Sequence, residues 1–114
     1  MFRIEIPGKM ITLNEYRNAH YRTLSKDKKE WQEIIGWAIK EAGIKSIPTP
    51  MTLSVTAYTK RMRDVDNCVI AAKYFLDTLV QMELITDDNP KYVKTVILNW
   101  EKATDKEKVV YLIQ

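Results

Sequence analysis

The chain has one cysteine, Cys68, and one histidine, His20, among its 114 residues. A single cysteine cannot form a disulfide within the chain, so the fold must be stabilised by packing alone, which suits a reducing compartment. A zinc site is disfavoured, because these two residues do not have the spacing of zinc ligands. Three glycines and four prolines leave no room for a long flexible linker. We therefore expect one folded domain over residues 1–114.

Long apolar runs are also missing from the sequence. No segment approaches the roughly 20 apolar residues that a membrane span needs. Residues 1–6 read Met-Phe-Arg-Ile-Glu-Ile and carry charges where a signal peptide would need an apolar run. We therefore predict a cytoplasmic protein that does not contact a membrane. The net charge of +3 is compatible with a nucleic-acid partner but does not by itself indicate one.

The spacing of apolar residues predicts four strands and two helices in the order β-α-β-α-β-β. The predicted strands cover residues 2–6, 51–59, 92–100 and 108–113, and the predicted helices run from Ser25 to about Ala42 and over residues 66–84. On the second helix, at 100° per residue, Val69 falls on the apolar side and Thr78 on the polar side. Because the connection between the last two strands is short, we expect them to pair as an antiparallel hairpin. The pattern indicates an α+β fold with one mixed four-stranded sheet and two helices.

A polar connection over residues 8–23 joins the first strand to the first predicted helix. Its side chains that are able to contact phosphates or bases are those of Asn14, Tyr16, Arg17, His20, Tyr21 and Arg22. A surface loop is polar for ordinary structural reasons as well, so this stretch alone does not indicate a function. Arg17 and Arg22 are its candidate nucleic-acid contacts.

The most informative segment is residues 60–67, which read Lys-Arg-Met-Arg-Asp-Val-Asp-Asn. In extended geometry residues i and i+2 point the same way, so Asp64 and Asp66 can converge on one ion. Mg²⁺ prefers oxygen ligands and usually takes one or two carboxylates, keeping water and substrate phosphate for the rest. A basic run beside such a pair suits a metal held against a phosphodiester backbone, which Lys60, Arg61 and Arg63 would contact.

Lys73 follows Asp66 by seven residues, which is close to the same angular position on the predicted helix and roughly 10 Å along it. A cation there could neutralise charge that develops on a phosphate. Asp77 lies one turn further, where we expect it to form an ion pair that orients Lys73.

Each of these features also has an ordinary structural explanation. Asp66 could cap the helix that follows it. Asp, Asn and Pro are favoured in turns, so the Asp87-Asp88-Asn89-Pro90 segment is expected to form a turn whatever the function. Residues 60–63 could be a solvated edge, and Cys68 is expected to be packed rather than catalytic. Only the ordered combination of these features favours a particular function.

That combination resembles the RusA family of Holliday junction resolvases, also called crossover junction endodeoxyribonucleases. The residues that carry the resemblance are Arg63-Asp64-Val65-Asp66-Asn67, Lys73, Leu76-Asp77-Thr78-Leu79 and Asp87-Asp88. The resemblance is strong over about residues 60–95 and looser in the strand before them and near residues 14–22. It implies a small homodimeric enzyme that cuts four-way DNA junctions symmetrically with Mg²⁺, or Mn²⁺, and without an organic cofactor.

By motif position, the resemblance implies that Asp64, Asp66 and Asp88 hold the metal and that Lys73 takes part in catalysis. The family pattern places its lysine two residues after the Asp-Asn step, whereas residues 68–72 intervene here. Two other functions stay open: a non-catalytic junction-binding or RNA-binding protein of the same fold, and a nuclease for other branched DNA.

Overall fold

The computed structural model describes residues 1–10 and 12–114 and, apart from that of Asn14, their side chains. These residues form four strands and three α-helices, with a 3₁₀ helix at Val65–Cys68 directly before the last α-helix. The elements in chain order are β1 (Phe2–Pro7), α1 (Leu13–Asn18), α2 (Tyr21–Glu41), β2 (Met51–Thr59), α3 (Val69–Gln81), β3 (Val93–Lys102) and β4 (Lys108–Ile113). The molecule therefore has the predicted α+β fold with a mixed four-stranded sheet.

The strand order in the sheet is β1-β4-β2-β3. Strand β4 pairs antiparallel with both β1 and β2, and β3 pairs in parallel with β2. The predicted hairpin of the last two strands is therefore wrong, because β2 lies between them. The connection after β3 crosses the end of β2, where the Ala103 N–H donates to the Thr59 carbonyl over 2.8 Å. Strand β4 takes the inner position because its residues Val109, Val110 and Tyr111 are buried, which suits a strand with neighbours on both sides.

The polar connection contains a helix that the sequence prediction missed. Thr12 caps α1: its hydroxyl accepts from the Glu15 N–H over 3.2 Å and donates to the Glu15 carboxylate over 3.0 Å. The Thr-x-x-Glu spacing is that of a capping box, although here the Glu15 carboxylate accepts from the Thr12 hydroxyl. Helix α2 then begins at Tyr21 rather than at Ser25, with His20 as its N-cap. The Nδ1 atom of His20 accepts from the Arg22 N–H over 3.2 Å.

Helices α2 and α3 cover one face of the sheet and enclose the core. Strand β2 alternates buried and half-buried residues along its whole length, as its sequence predicts. Helix α3 is shorter than predicted and buried over a wider arc, because it packs against both the sheet and α2. Thr78 is therefore buried and donates to the Tyr74 carbonyl over 2.7 Å, whereas Val69, predicted on the apolar side, is 38% exposed.

An aromatic cluster joins the helices to the centre of the sheet. The rings of Phe75 and Tyr111 are stacked with their centroids 4.1 Å apart. The Trp31 indole N–H donates to the Tyr111 hydroxyl over 3.3 Å, and that hydroxyl donates to the Ala71 carbonyl over 2.9 Å. One side chain of β4 thus fixes both α2 and α3, and its burial raises the pKa of Tyr111.

In the part of the chain that the structure describes, no helix is long and apolar enough to cross a membrane. The cytoplasmic location stays a prediction.

We predict that Tyr111→Phe lowers the free energy of unfolding by about 1–3 kcal/mol, because the buried Trp31 N–H loses its acceptor and the Ala71 carbonyl loses a donor. Urea denaturation followed by tryptophan fluorescence measures the change. Tyr58→Phe is the matched control, since Tyr58 lies half-buried on the opposite face of the sheet, and we expect it to change stability by no more than about 0.5 kcal/mol. Equal effects of the two substitutions would contradict the role given to the Tyr111 hydroxyl.

Candidate metal and nucleic-acid site

Asp64 and Asp66 belong to one tight, exposed turn beyond the end of β2. The strand ends at Thr59, and the chain runs irregularly to Asp64, which is the N-cap of the 3₁₀ helix. Asp66 lies within that helix, so the strand alternation expected to align the two carboxylates does not apply here. The structure nevertheless brings both residues to one short exposed segment.

The backbone of this turn is held by neighbouring groups other than the two carboxylates. The Asn67 N–H and side-chain amide both donate to the Asp64 carbonyl, over 3.0 and 3.2 Å. The Cys68 thiol donates to the Val65 carbonyl over 3.0 Å and to the Asn99 carbonyl on β3 over 3.8 Å. Asp64 makes no side-chain capping bond, and the N-cap of α3 is Cys68 rather than Asp66. The capping explanation for Asp66 therefore does not apply.

Cys68 is packed, as its apolar neighbours predict. Its side chain is buried against the sheet, and that burial raises the pKa of the thiol to about 11. The thiolate is the reactive form of cysteine, so this residue is not a nucleophile near neutral pH.

Lys73 lies on the exposed side of α3, beside α1. Its ammonium group is 5.8 Å from the centre of the Tyr16 ring, within the range of a cation–π contact. The ion pair predicted between Lys73 and Asp77 does not form, because the Asp77 carboxylate binds the Lys28 ammonium of α2 over 3.0 Å. Lys73 is thus oriented by an aromatic ring rather than by a carboxylate.

Helix α1 brings part of the polar connection to the same end of the molecule as the aspartate turn. It contacts both the 3₁₀ helix and α3. Arg17 is exposed in its last turn. Arg22 is exposed in the first turn of α2, where its guanidinium lies 5.9 Å from the centre of the Tyr21 ring. The sequence prediction placed Tyr16 in a polar loop. The capping-box spacing at the start of α1 is the signal that would have placed Tyr16 on a helix, where it faces Lys73.

The basic segment leads directly into the aspartate turn. Lys60 and Arg61 are exposed and Arg63 is half-buried. The backbone of the segment is fixed by two contacts: the Lys60 N–H donates to the Glu107 carboxylate over 3.0 Å, and the Thr59 hydroxyl donates to the Arg61 carbonyl over 2.6 Å. Within residues 1–10 and 12–114, no ion pair engages the three cationic side chains.

Asp88 lies at the opposite end of the sheet from Asp64 and Asp66. Its turn precedes β3, where the Val93 N–H donates to the Asn89 carbonyl over 2.9 Å and the Met51 N–H, at the start of β2, donates to the Tyr92 carbonyl over 2.9 Å. The 13 residues of α3 separate the two ends, which corresponds to about 20 Å at the rise of an α-helix. Among the described residues, no group of three His, Cys, Asp or Glu side chains is placed to hold a metal ion.

The two aspartates of this second turn have different surroundings. The Asp87 carboxylate accepts from the Asp88 N–H over 2.8 Å and from the Asn89 side-chain amide over 3.1 Å. These bonds, the Asp88 N–H first, hold the pKa of Asp87 below its ordinary value. Asp87 therefore stabilises the turn, and Asp88 stays the candidate ligand.

No protein-family model matches this chain, and no curated protein matches it either. The resemblance to the RusA resolvases therefore depends on the residues quoted above.

We predict that the single thiol reacts with Ellman's reagent at about pH 8 at least about 100-fold more slowly in the folded chain than in concentrated guanidinium chloride. A rise of the Cys68 pKa from 9.0 to about 11 lowers the thiolate fraction by roughly that factor. Absorbance of the released thiolate gives both rates. A folded-state rate within a few-fold of the unfolded rate would mean that Cys68 is accessible.

Proposed function

We propose that this chain is a Mg²⁺-dependent endodeoxyribonuclease that resolves four-way DNA junctions by paired, symmetric phosphodiester hydrolysis in DNA recombination and repair. The observation that supports this most is the exposed turn with Asp64 and Asp66, preceded by unpaired cations and followed by Lys73. The substrate class follows from the RusA resemblance, because the turn itself would suit any phosphodiester backbone.

The residues of the turn suit a hard cation. Mg²⁺ binds oxygen ligands and is usually held by one or two carboxylates with water and phosphate in its remaining positions. Asp64 and Asp66 are exposed, the Asp64 side chain makes no capping bond and Asp66 is not the N-cap of α3, so their oxygens are accessible to an ion. When bound, the metal would polarise the scissile phosphate and lower the pKa of an attacking water.

The cationic side chains supply binding and charge stabilisation in this proposal. Lys60, Arg61 and Arg63 hold the flanking phosphates, and Arg17 and Arg22 extend this contact along the backbone of a neighbouring arm. Lys73 offsets negative charge that develops on the phosphate. Because these contacts are electrostatic, junction binding should weaken steeply as salt rises.

A homodimer is needed if Asp88 takes part. In one chain the length of α3 separates Asp88 from Asp64 and Asp66, so Asp88 can reach their metal only from a second copy. We propose two equivalent sites, each built from Asp64 and Asp66 of one protomer and Asp88 of the partner subunit. A two-fold dimer of this kind matches a junction that presents two symmetry-related strands.

We predict that Asp66→Asn reduces Mg²⁺-dependent cleavage of a synthetic four-way junction by at least about 100-fold and changes junction binding less than about threefold. The amide keeps the size of the side chain but removes the charge that attracts the cation. Asp105→Asn, an exposed aspartate in the connection between β3 and β4, is the matched control and should retain cleavage.

Cleavage assays on labelled junction, fork and linear duplex, with and without Mg²⁺, measure this effect and test the substrate class. Full cleavage by Asp66→Asn would remove the residue from the mechanism. Junction binding by the unmodified chain without cleavage in any divalent cation would favour the non-catalytic alternative, and equal cleavage of fork and junction would favour a general branched-DNA nuclease.

The shared sites make a complementation test possible. We expect Asp66→Asn and Asp88→Asn chains each to be inactive alone, whereas a heterodimer of the two contains one site with both aspartates intact. Random pairing makes half of the dimers heterodimers with one active site of two, so we predict about a quarter of the unmodified nicking rate after mixing.

A mixture of Asp64→Asn and Asp66→Asn chains is the control, since both changes lie in the same half of the site and every site stays defective. Nicking of one strand of a labelled junction is measured after the mixed chains are unfolded and refolded together. Failure of the first mixture to regain activity would mean that Asp88 does not complete the site from the partner subunit.

A further inference from the structure

Strand β3 is an edge of the sheet whose charged residues, Lys94, Glu101 and Lys102, lie near its two ends and leave its centre apolar. It is ten residues long, contains no proline and pairs only with β2. Val96 and Ile97, at its centre, are 39% and 44% exposed. A long apolar edge strand is a template for pairing with another strand, and proteins that must stay monomeric usually blunt such an edge.

Val69, at the start of α3, adds to this apolar surface: it is 38% exposed, and the 3₁₀ helix directly before it contacts β3. Further exposed apolar side chains, Met62 and Val65, lie in the adjoining turn.

We propose that a second copy of this chain pairs antiparallel with β3, about a two-fold axis that is normal to the sheet and passes at Ile97. With such an axis, residues that lie opposite each other point to the same face of the combined sheet. Each residue is therefore paired with one whose number differs from its own by an even number. This register places the middle of β3 opposite the middle of the same strand in the second copy, and it sets Val96 opposite Leu98 of the partner subunit. A register centred on Leu98 would place Lys94 opposite Lys102 of the partner subunit, and directly opposed like charges are destabilising.

The antiparallel arrangement also assembles the site proposed above. The start of β3 in one protomer comes to lie beside the end of β3 in the other, with Val93 opposite Glu101 of the partner subunit. The turn with Asp88 precedes Val93, and the aspartate turn is attached to the end of β3 by the contact of the Cys68 thiol with Asn99. The pairing thus brings Asp88 to the end of the partner's sheet that carries Asp64 and Asp66. This consequence depends on the proposed function, whereas the pairing itself does not.

Cysteine substitution tests the register directly. Residues opposite each other in an antiparallel pair have their Cα atoms about 4.5–5.5 Å apart, within the span of a disulfide. We therefore expect Ile97→Cys to form a disulfide-linked dimer under mild oxidation, seen on a non-reducing denaturing gel. Ile34→Cys is the control, because Ile34 is equally exposed, at 43%, but lies on α2. Native Cys68 is buried in both variants.

Charge substitution tests whether this edge carries the dimer. We expect Ile97→Lys to raise the dimer dissociation constant at least about tenfold, measured by analytical ultracentrifugation, and Ile34→Lys to leave it unchanged. Far-UV circular dichroism checks that both variants fold.

Three results would overturn the proposed pairing: an unmodified chain that is monomeric at about 100 µM, a dimer that survives Ile97→Lys unchanged, or equal disulfide formation at positions 97 and 34. These measurements use neither DNA nor metal. A dimer that pairs through β3 but cuts no junction would therefore support the proposed interface and contradict the proposed nuclease activity.

Discussion

The parallel pairing of β2 and β3 is the constraint on which the rest of the structure depends. Two consecutive parallel strands need a crossover connection that returns the chain from the end of the first strand to the opposite end of the sheet, and α3 provides this connection. A residue that follows β2 and a residue that precedes β3 must therefore lie at opposite ends of the sheet. Asp64 and Asp66 belong to the first group and Asp88 to the second, so the geometry of any site that uses all three is decided by this one pairing.

The position of β4 decides which surfaces are left for partners. By inserting between β1 and β2, β4 buries Tyr111 against Phe75 and hydrogen-bonds both covering helices through one hydroxyl. The same insertion leaves β3 at the edge with Val96 and Ile97 exposed. A domain of this length buries a modest core, and an apolar edge that a second copy covers would add burial that one chain does not provide.

Sequence patterns predicted the parts of this protein that depend on local periodicity. The alternation of Met51–Thr59 identified a half-buried strand, and the apolar spacing that ends before Gly43 identified most of α2. The same reasoning missed α1, because Thr12 and Glu15 were read as polar loop rather than as a capping box. It also misjudged Val69 and Thr78, because a helix with neighbours on two sides has no simple polar face.

The sequence alone determined the α+β class, the packed single thiol and the order of basic and acidic residues around the aspartate turn, because these follow from residue type and short-range spacing. The tertiary structure decided strand adjacency, the partner of Asp77 and the distance between the two groups of aspartates. A short connection sets the direction of β4 relative to β3 but not which strand lies between them. That choice depends on the burial of side chains far apart in the chain, which no local pattern records.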